Sequence, residues 1–213
     1  MLNIRQIHNA FAKKFRSSRM KAFIYNFRVS SDTRILDVGG SMFNWTLIDE
    51  LPNLTMLNIL PPKSTSSQAN WMIADAKFLP FASASFDIVY SNSVIEHLSD
   101  YASQQKLAAE CARVGKQYYV QTPNKWFPIE PHVLTLFIHW LPKKWQRYLI
   151  RYFSVWGWLN KPSLKQIDEL LAEVRLLTKK EMQSLFPNGL IHEEKVFVFT
   201  KSFLAIKQNK PSE

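Results

Sequence analysis

Between residues 34 and 125 the apolar residues come in short runs, and polar stretches with helical spacing separate them. Ile35, Leu36 and Val38 read as a buried strand over 34–38. Gly39 and Gly40 follow at once, and the next residues suit a helix over about 43–51, stopped by Pro52. Leu54 to Ile59, Asn70 to Ile73, Phe86 to Tyr90 and Lys116 to Gln121 read as four further strands. Ser99 to Arg113 reads as a helix with Ser99 or Asp100 as its cap. Short apolar runs alternating with helices predict an α/β fold: a mostly parallel sheet with helices on both faces.

The flanks carry other patterns. Ile4, Ile7, Phe11, Phe15, Phe23 and Phe27 recur at helical spacings with basic residues between them, which predicts a helix over 3–28. A helix packed on the core with a basic outer face is the favoured reading. A helix lying on a membrane and a transit-peptide-like segment are the alternatives. Residues 125–161 break the alternation. Five of the seven tryptophans fall there (Trp126, Trp140, Trp145, Trp156, Trp158), interleaved with Lys143, Lys144, Arg147 and Arg151. One or two amphipathic helices forming a cap beside the site are expected. Ser163 is placed to cap a helix running to about Lys180, with 181–186 extending it. Val196 to Thr200 and Ser202 to Ile206 are expected to close the sheet as an antiparallel pair. The expected organisation is one domain: a basic N-terminal helix (1–31), a core (32–125), a helical cap (126–180), and closing strands with a tail (181–213).

Charge sharpens this picture. The formal net charge is +10, and residues 1–31 hold seven Lys or Arg and no acid. Residues 125–165 hold seven more against Glu130 alone. Such patches attract polyanions, either an anionic membrane face or nucleic acid; the plainer reading is a solvated, solubilising face. No apolar run approaches the ~20 residues that span a bilayer. The one cysteine, Cys111, rules out an internal disulfide, suits a reducing compartment, and reads as inert core. A cytoplasmic protein, in one reading peripheral to the membrane, is expected.

Candidate chemistry lies at fixed distances from the glycine turn. Asn58 ends the second strand about 20 residues on, where such folds set a side chain against ribose hydroxyls. Asp75 follows the third strand, where a carboxylate can accept a hydrogen bond from an adenine amino group. Ser91-Asn92-Ser93-Val94-Ile95-Glu96-His97-Leu98 follows the fourth. Three stretches, ILDVGG (35–40), ADAKFLPFASASFDIVYSNSVIEHL (74–98) and ECARVGKQYYVQTPN (110–124), resemble the class I S-adenosylmethionine-dependent methyltransferases, above all the small-molecule and quinone-biosynthesis branch. The resemblance covers roughly residues 32–125, and 190–207 loosely.

The resemblance implies a Rossmann-like sheet of seven strands with an antiparallel C-terminal strand, and S-adenosylmethionine as cofactor. It implies that Asp37 and Gly39 face the cofactor's methionine end, with Gly40 and Ser41 in the same cofactor-binding turn, Asn58 its ribose, and Asp75 with Ala76 its adenine, while Ser91 lines the pocket. Three positions depart from the family pattern: Ser41 and Phe43 stand where further glycines are usual, and Asn58 replaces an acid. His97 is the candidate general base, because imidazole titrates near neutrality. Glu96 beside it, and Glu130 with His132 just after the fifth strand, are further candidates for base or acceptor contact. Each of these four has a competing purely structural reading. No metal-ligand spacing is evident. The expected acceptor is a small or lipid-linked molecule, met in one reading at an anionic membrane. RNA methylation and a non-catalytic scaffold are the alternatives. The Asn-Pro-Pro-aromatic motif associated with methylation of base amino groups is absent.

Overall fold

The computed structural model describes residues 4–62 and 68–208, with side chains from Arg16 onward. Its element order is α1 (Ile4–Phe27), β1 (Arg34–Val38), α2 (Met42–Trp45), β2 (Asn53–Asn58), β3 (Asn70–Ile73), β4 (Phe86–Asn92), α3 (Tyr101–Val114), β5 (Gly115–Pro123), a small hairpin β6 (Ile129–Glu130) and β7 (Thr135–Leu136), α4 (Lys143–Phe153), α5 (Val155–Asn160), α6 (Leu164–Glu173), α7 (Lys179–Leu185), β8 (Leu190–Val196) and β9 (Phe199–Lys207). One seven-stranded sheet has the order β3-β2-β1-β4-β5-β9-β8. The first five strands are parallel, and β9 runs antiparallel to both β5 and β8. The strand order reverses direction between β1 and β4. In open α/β sheets ligands bind beyond the carboxyl ends of the strands at such a point.

Side chains alternate across the pleat and so feed two cores. Ile35, Leu54, Met56, Ile88, Tyr90 and Tyr119 face Met20, Phe23 and Phe27 of α1 and Trp45 of α2. Leu36, Val38, Leu57, Val89 and Val120 face Leu107, Ala108, Cys111 and Val114 of α3 and Met182 and Leu185 of α7. Helices therefore cover both faces. A third, smaller core of Val133, Ile138, Ile150 and Ile167 belongs to the cap. The positions Ile4, Ile7, Phe11 and Phe15, which set the first helix in the sequence, lie outside the described side chains. Over the described part of α1 one face packs on the sheet, and Arg16, Lys21 and Arg28 point outward. Arg19 does not; its guanidinium pairs with Glu194 of β8 and donates to Asn92 Oδ1 at 2.6 Å.

Three boundaries differ from the sequence reading. The helix expected over 43–51 is one turn, Met42–Trp45. Thr46 Oγ1 donates to the Phe43 carbonyl and Leu47 N–H to the Asn44 carbonyl, so the ladder tightens and stops. The helix expected over 163–180 is two helices. Ser163 and Thr178 each head a capping box, with Gln166 and Glu181. Between them Arg175 N–H donates to the Glu96 carbonyl, and Lys125 N–H to that of Leu177, so this segment runs extended beside the site. The closing hairpin turns at Phe197 and Val198, inside the strand expected over 196–200.

Candidate active site

The glycine turn is built by contacts that exclude any larger residue. Gly39 has a φ of +73°, a left-handed conformation that favours glycine, and a Cβ there would lie 2.7 Å from both Val94 methyls. A Cβ on Gly40 would lie 1.9 Å from Asp37 Oδ2. Asp37 is fully buried and accepts a 2.7 Å bond from Trp45 Nε1. Burial pushes its carboxyl up to about 7, against that bond, and its other oxygen has no partner. Asn58 Nδ2 donates to the Gly40 carbonyl at 3.0 Å, and Gly39 N–H to that of Leu57 at 2.7 Å. An aspartate at 58 would have no donor for that carbonyl; the asparagine ties the ends of β1 and β2 together.

Exposed Ser41 stands at the start of α2, with no side-chain cap bond. Beyond β3, Asp75 Oδ1 accepts from Lys77 N–H at 2.9 Å, with half-buried Ala76 beside it. Asp37, Gly39, Gly40, Ser41, Asn58, Asp75 and Ala76 thus lie together at the carboxyl ends of β1, β2 and β3. Ser91 is placed differently. It is fully buried within β4 and donates to the Val38 carbonyl at 3.2 Å, so it ties two strands together. The residues fit a nucleoside-bearing cofactor: a turn that a single methyl would close, and a carboxylate two strands further out.

Past β4 the chain turns at Ser93, whose φ is a left-handed 57°. Ser93 N–H donates to the Gln121 carbonyl, and its hydroxyl pairs with Gln121 Oε1 at 2.9 Å. That turn sets the 3-10 turn Ile95–His97 against β5 and against the extended run after α6. Glu96 is fully buried; one oxygen accepts from Thr122 Oγ1 at 2.9 Å, and the other has no hydrogen-bond partner. Burial pushes its carboxyl up to about 7 despite the Thr122 bond.

The rings of His97 and His132 meet edge to face at 5.1 Å. His97 Nδ1 lies 3.0 Å from Glu173 Oε1, and His132 Nδ1 lies 2.7 Å from Glu130 Oε1. Burial works against a charge on His132, but the Glu130 carboxylate outweighs it and holds the imidazole above its ordinary pKa. Glu130 is itself buried and accepts from Val133 N–H at 2.7 Å. The fold therefore brings the four candidates Glu96, His97, Glu130 and His132 to one place. Glu173 and Thr122 complete the group, and sequence reasoning assigned neither a role. Glu173 ends a helix 76 residues after His97, beyond the reach of any local motif.

A cavity of about 540 Å³ opens against this group. Glu130 and His132 line it with Lys125, Lys143 and Arg175, and Ile138, Leu141, Ile150, Leu170 and Leu171 make its apolar wall. Apart from Ser99 and Lys125, every lining residue falls within 130–176, so the cavity belongs to the cap.

A methyltransferase-domain family profile matches residues 47–118. No curated protein matches the chain. Among solved structures, an S-adenosylmethionine-dependent methyltransferase from Methanosarcina mazei superposes with a TM-score of 0.51 at 19% identity, over 86% of this chain and 95% of that one. Magnesium protoporphyrin IX methyltransferase from Synechocystis, with bound S-adenosylhomocysteine, superposes with a TM-score of 0.57 at 10% identity, over 98% and 89%. A methyltransferase-like protein from Haloferax volcanii, in complex with the Trm112 activator, gives 0.53 at 12%, over 92% of each chain. At these identities the structures speak to the fold, and the profile speaks to the domain. The solved structures show that the chain has the fold of S-adenosylmethionine-dependent methyltransferases, and the profile marks residues 47–118 as similar to a methyltransferase domain.

Proposed function

We propose that the acceptor is a small or lipid-linked amphiphile that enters the cap cavity, and that the Glu96–His97–Glu130–His132 group handles its nucleophile. The observation that carries this reading is the cavity wall, where Glu130 and His132 stand among largely apolar residues with Lys125 and Lys143. S-adenosylmethionine supplies a methyl activated on sulfonium; the chain supplies alignment and a route for the acceptor's proton. Glu173 and Glu130 fix the two imidazoles, and Thr122 fixes Glu96. The apolar wall suits a hydrocarbon or ring, and Lys125 and Lys143 suit an anionic substituent such as a phosphate.

The outer surface of the cap supports collection of such an acceptor from a membrane face. Trp145, Tyr148, Tyr152 and Phe153 of α4 and Trp158 of α5 are all more than half exposed, and Arg147 and Arg151 lie over the Tyr148 and Tyr152 rings. Aromatic rings flanked by cations sit favourably at the level of lipid headgroups. Among the described residues no helix is long and apolar enough to cross a membrane. Co-sedimentation with anionic and with zwitterionic vesicles tests this surface. Binding to anionic vesicles, weakened by Trp145→Ala with Tyr152→Ala, is expected; equal failure on both vesicle types refutes the membrane part. The acceptor part is tested by tritiated methyl transfer into lipid extracts and small-molecule pools, with His132→Ala as the inactive control.

A further inference from the structure

Glu96, His97 and His132 each offer a ligand atom, and the three atoms lie within 4.8 Å of one another. Both imidazoles turn Nδ1 to a carboxylate, His97 to Glu173 and His132 to Glu130. Metal-binding histidines are held in this way, the outer carboxylate fixing the ring and raising its basicity while Nε2 stays available as donor. The third member is a fully buried carboxylate with one oxygen on Thr122 and the other without a partner. An orphaned buried oxygen of this kind is costly, and a cation would satisfy it. The surroundings are rich in negative charge: Glu96, Glu130 and Glu173 crowd two imidazoles, while Arg175 is taken up by Glu181 and Gln104.

We infer that His97, His132 and Glu96 form a binding site for a divalent first-row transition ion, at the wall of the acceptor cavity. Two imidazoles and one carboxylate suit Zn²⁺, Mn²⁺ or Fe²⁺; Mg²⁺ prefers an all-oxygen shell. Three protein ligands leave coordination positions open, and with His132 lining the cavity an acceptor oxygen there can coordinate and lose its proton more easily. That last role rests on the methyl-transfer reading above; the ion site itself does not. Bonds of about 2.0–2.2 Å require the three ligand atoms to draw together, which side-chain rotation at half-exposed His97 allows.

The test is a Co²⁺ titration of the full chain after chelator treatment, followed by visible absorption. One saturable equivalent is expected, together with a rise in melting temperature on adding Zn²⁺. His97→Ala and His132→Ala should each abolish the absorption. Glu130→Gln should weaken affinity about 10–100-fold, as loss of an orienting carboxylate does. Circular dichroism and S-adenosylhomocysteine binding report folding of each variant, and the conservative Glu130→Gln guards against simple collapse. No saturable Co²⁺ binding by the folded wild type overturns the site, as does binding unchanged in both histidine variants. Uptake of Co²⁺ without S-adenosylhomocysteine binding would keep the site and overturn the functional reading; the converse would do the reverse.

Discussion

Gly40→Ala puts a methyl group into the most crowded point of the cofactor turn. The added Cβ would stand 1.9 Å from Asp37 Oδ2 and 2.1 Å from its Cγ. The carboxyl cannot swing away, because it is fully buried and held by Trp45 Nε1 at 2.7 Å. Either that bond breaks or the turn shifts and loses the 3.0 Å bond from Asn58 to the Gly40 carbonyl. Overpacking of this kind costs about 1–3 kcal/mol, and a buried hydrogen bond lost with it falls in the same range. For a chain of this size the overpacking cost alone lowers the melting temperature by roughly 2–12 °C. Urea denaturation of four proteins isolates the cause: wild type, Gly40→Ala, Asp37→Ala and the double variant. Asp37→Ala empties the space the new methyl needs, so Gly40→Ala should cost much less in that background. Additivity within about 0.5 kcal/mol would refute the steric argument.

Asp37 also gives the protein a pH dependence. Its carboxyl, near 4 in an unfolded chain, is raised to about 7 by burial. Between those values the folded state holds a proton that the unfolded state has released, so this group's contribution to stability falls as pH rises from 4 to 7. Asp37→Asn keeps the acceptor for Trp45 and should flatten that part of the stability–pH curve in urea titrations; an unchanged slope would contradict the burial argument. Cys111 is buried, and its thiol is pushed up to about 12 by that burial. A thiol reagent at pH 8 should leave it unmodified in the native protein and label it in denaturant; rapid native labelling would mean that α3 does not seal it.

The parallel half of the sheet was legible because each buried strand is a short apolar run bounded by turn residues. The expected span of β3 coincides with the observed Asn70–Ile73. Legibility failed where side chains override periodicity. The run after the glycine turn looks helical, but Trp45 is drawn into the core by Asp37 and Thr46 bonds back to the Phe43 carbonyl. Edge strand β8 carries His192, Glu193, Glu194 and Lys195, as solvent-facing edges do, and so gave no apolar signal. Its hairpin tip is the apolar pair Phe197–Val198, with Phe197 94% exposed, so the turn read as strand. The break before α7 had a signal that periodicity hid: Thr178 three residues ahead of Glu181 is a capping box.

At the site, Glu96 with His97 and Glu130 with His132 were visible as two local motifs. Their meeting was not, because it depends on the Ser93 turn and on the placement of β6 beside β4's exit. Nor was the bond that the Ser91 hydroxyl makes inside the sheet, to the Val38 carbonyl. The shared lesson is physical. Sequence shows which groups can do chemistry, and long-range packing decides which of them remain available for it.

The central claim is that the carboxyl ends of β1, β2 and β3 hold S-adenosylmethionine. Calorimetric titration of the purified chain with S-adenosylhomocysteine, in parallel with Asp75→Ala, tests it most directly. The account predicts one binding event for the wild type and affinity weaker by about tenfold or more for the variant, the equivalent of one lost hydrogen bond to a charged group. No heat of binding from well-folded wild-type protein, or equal affinity in the two proteins, would contradict it.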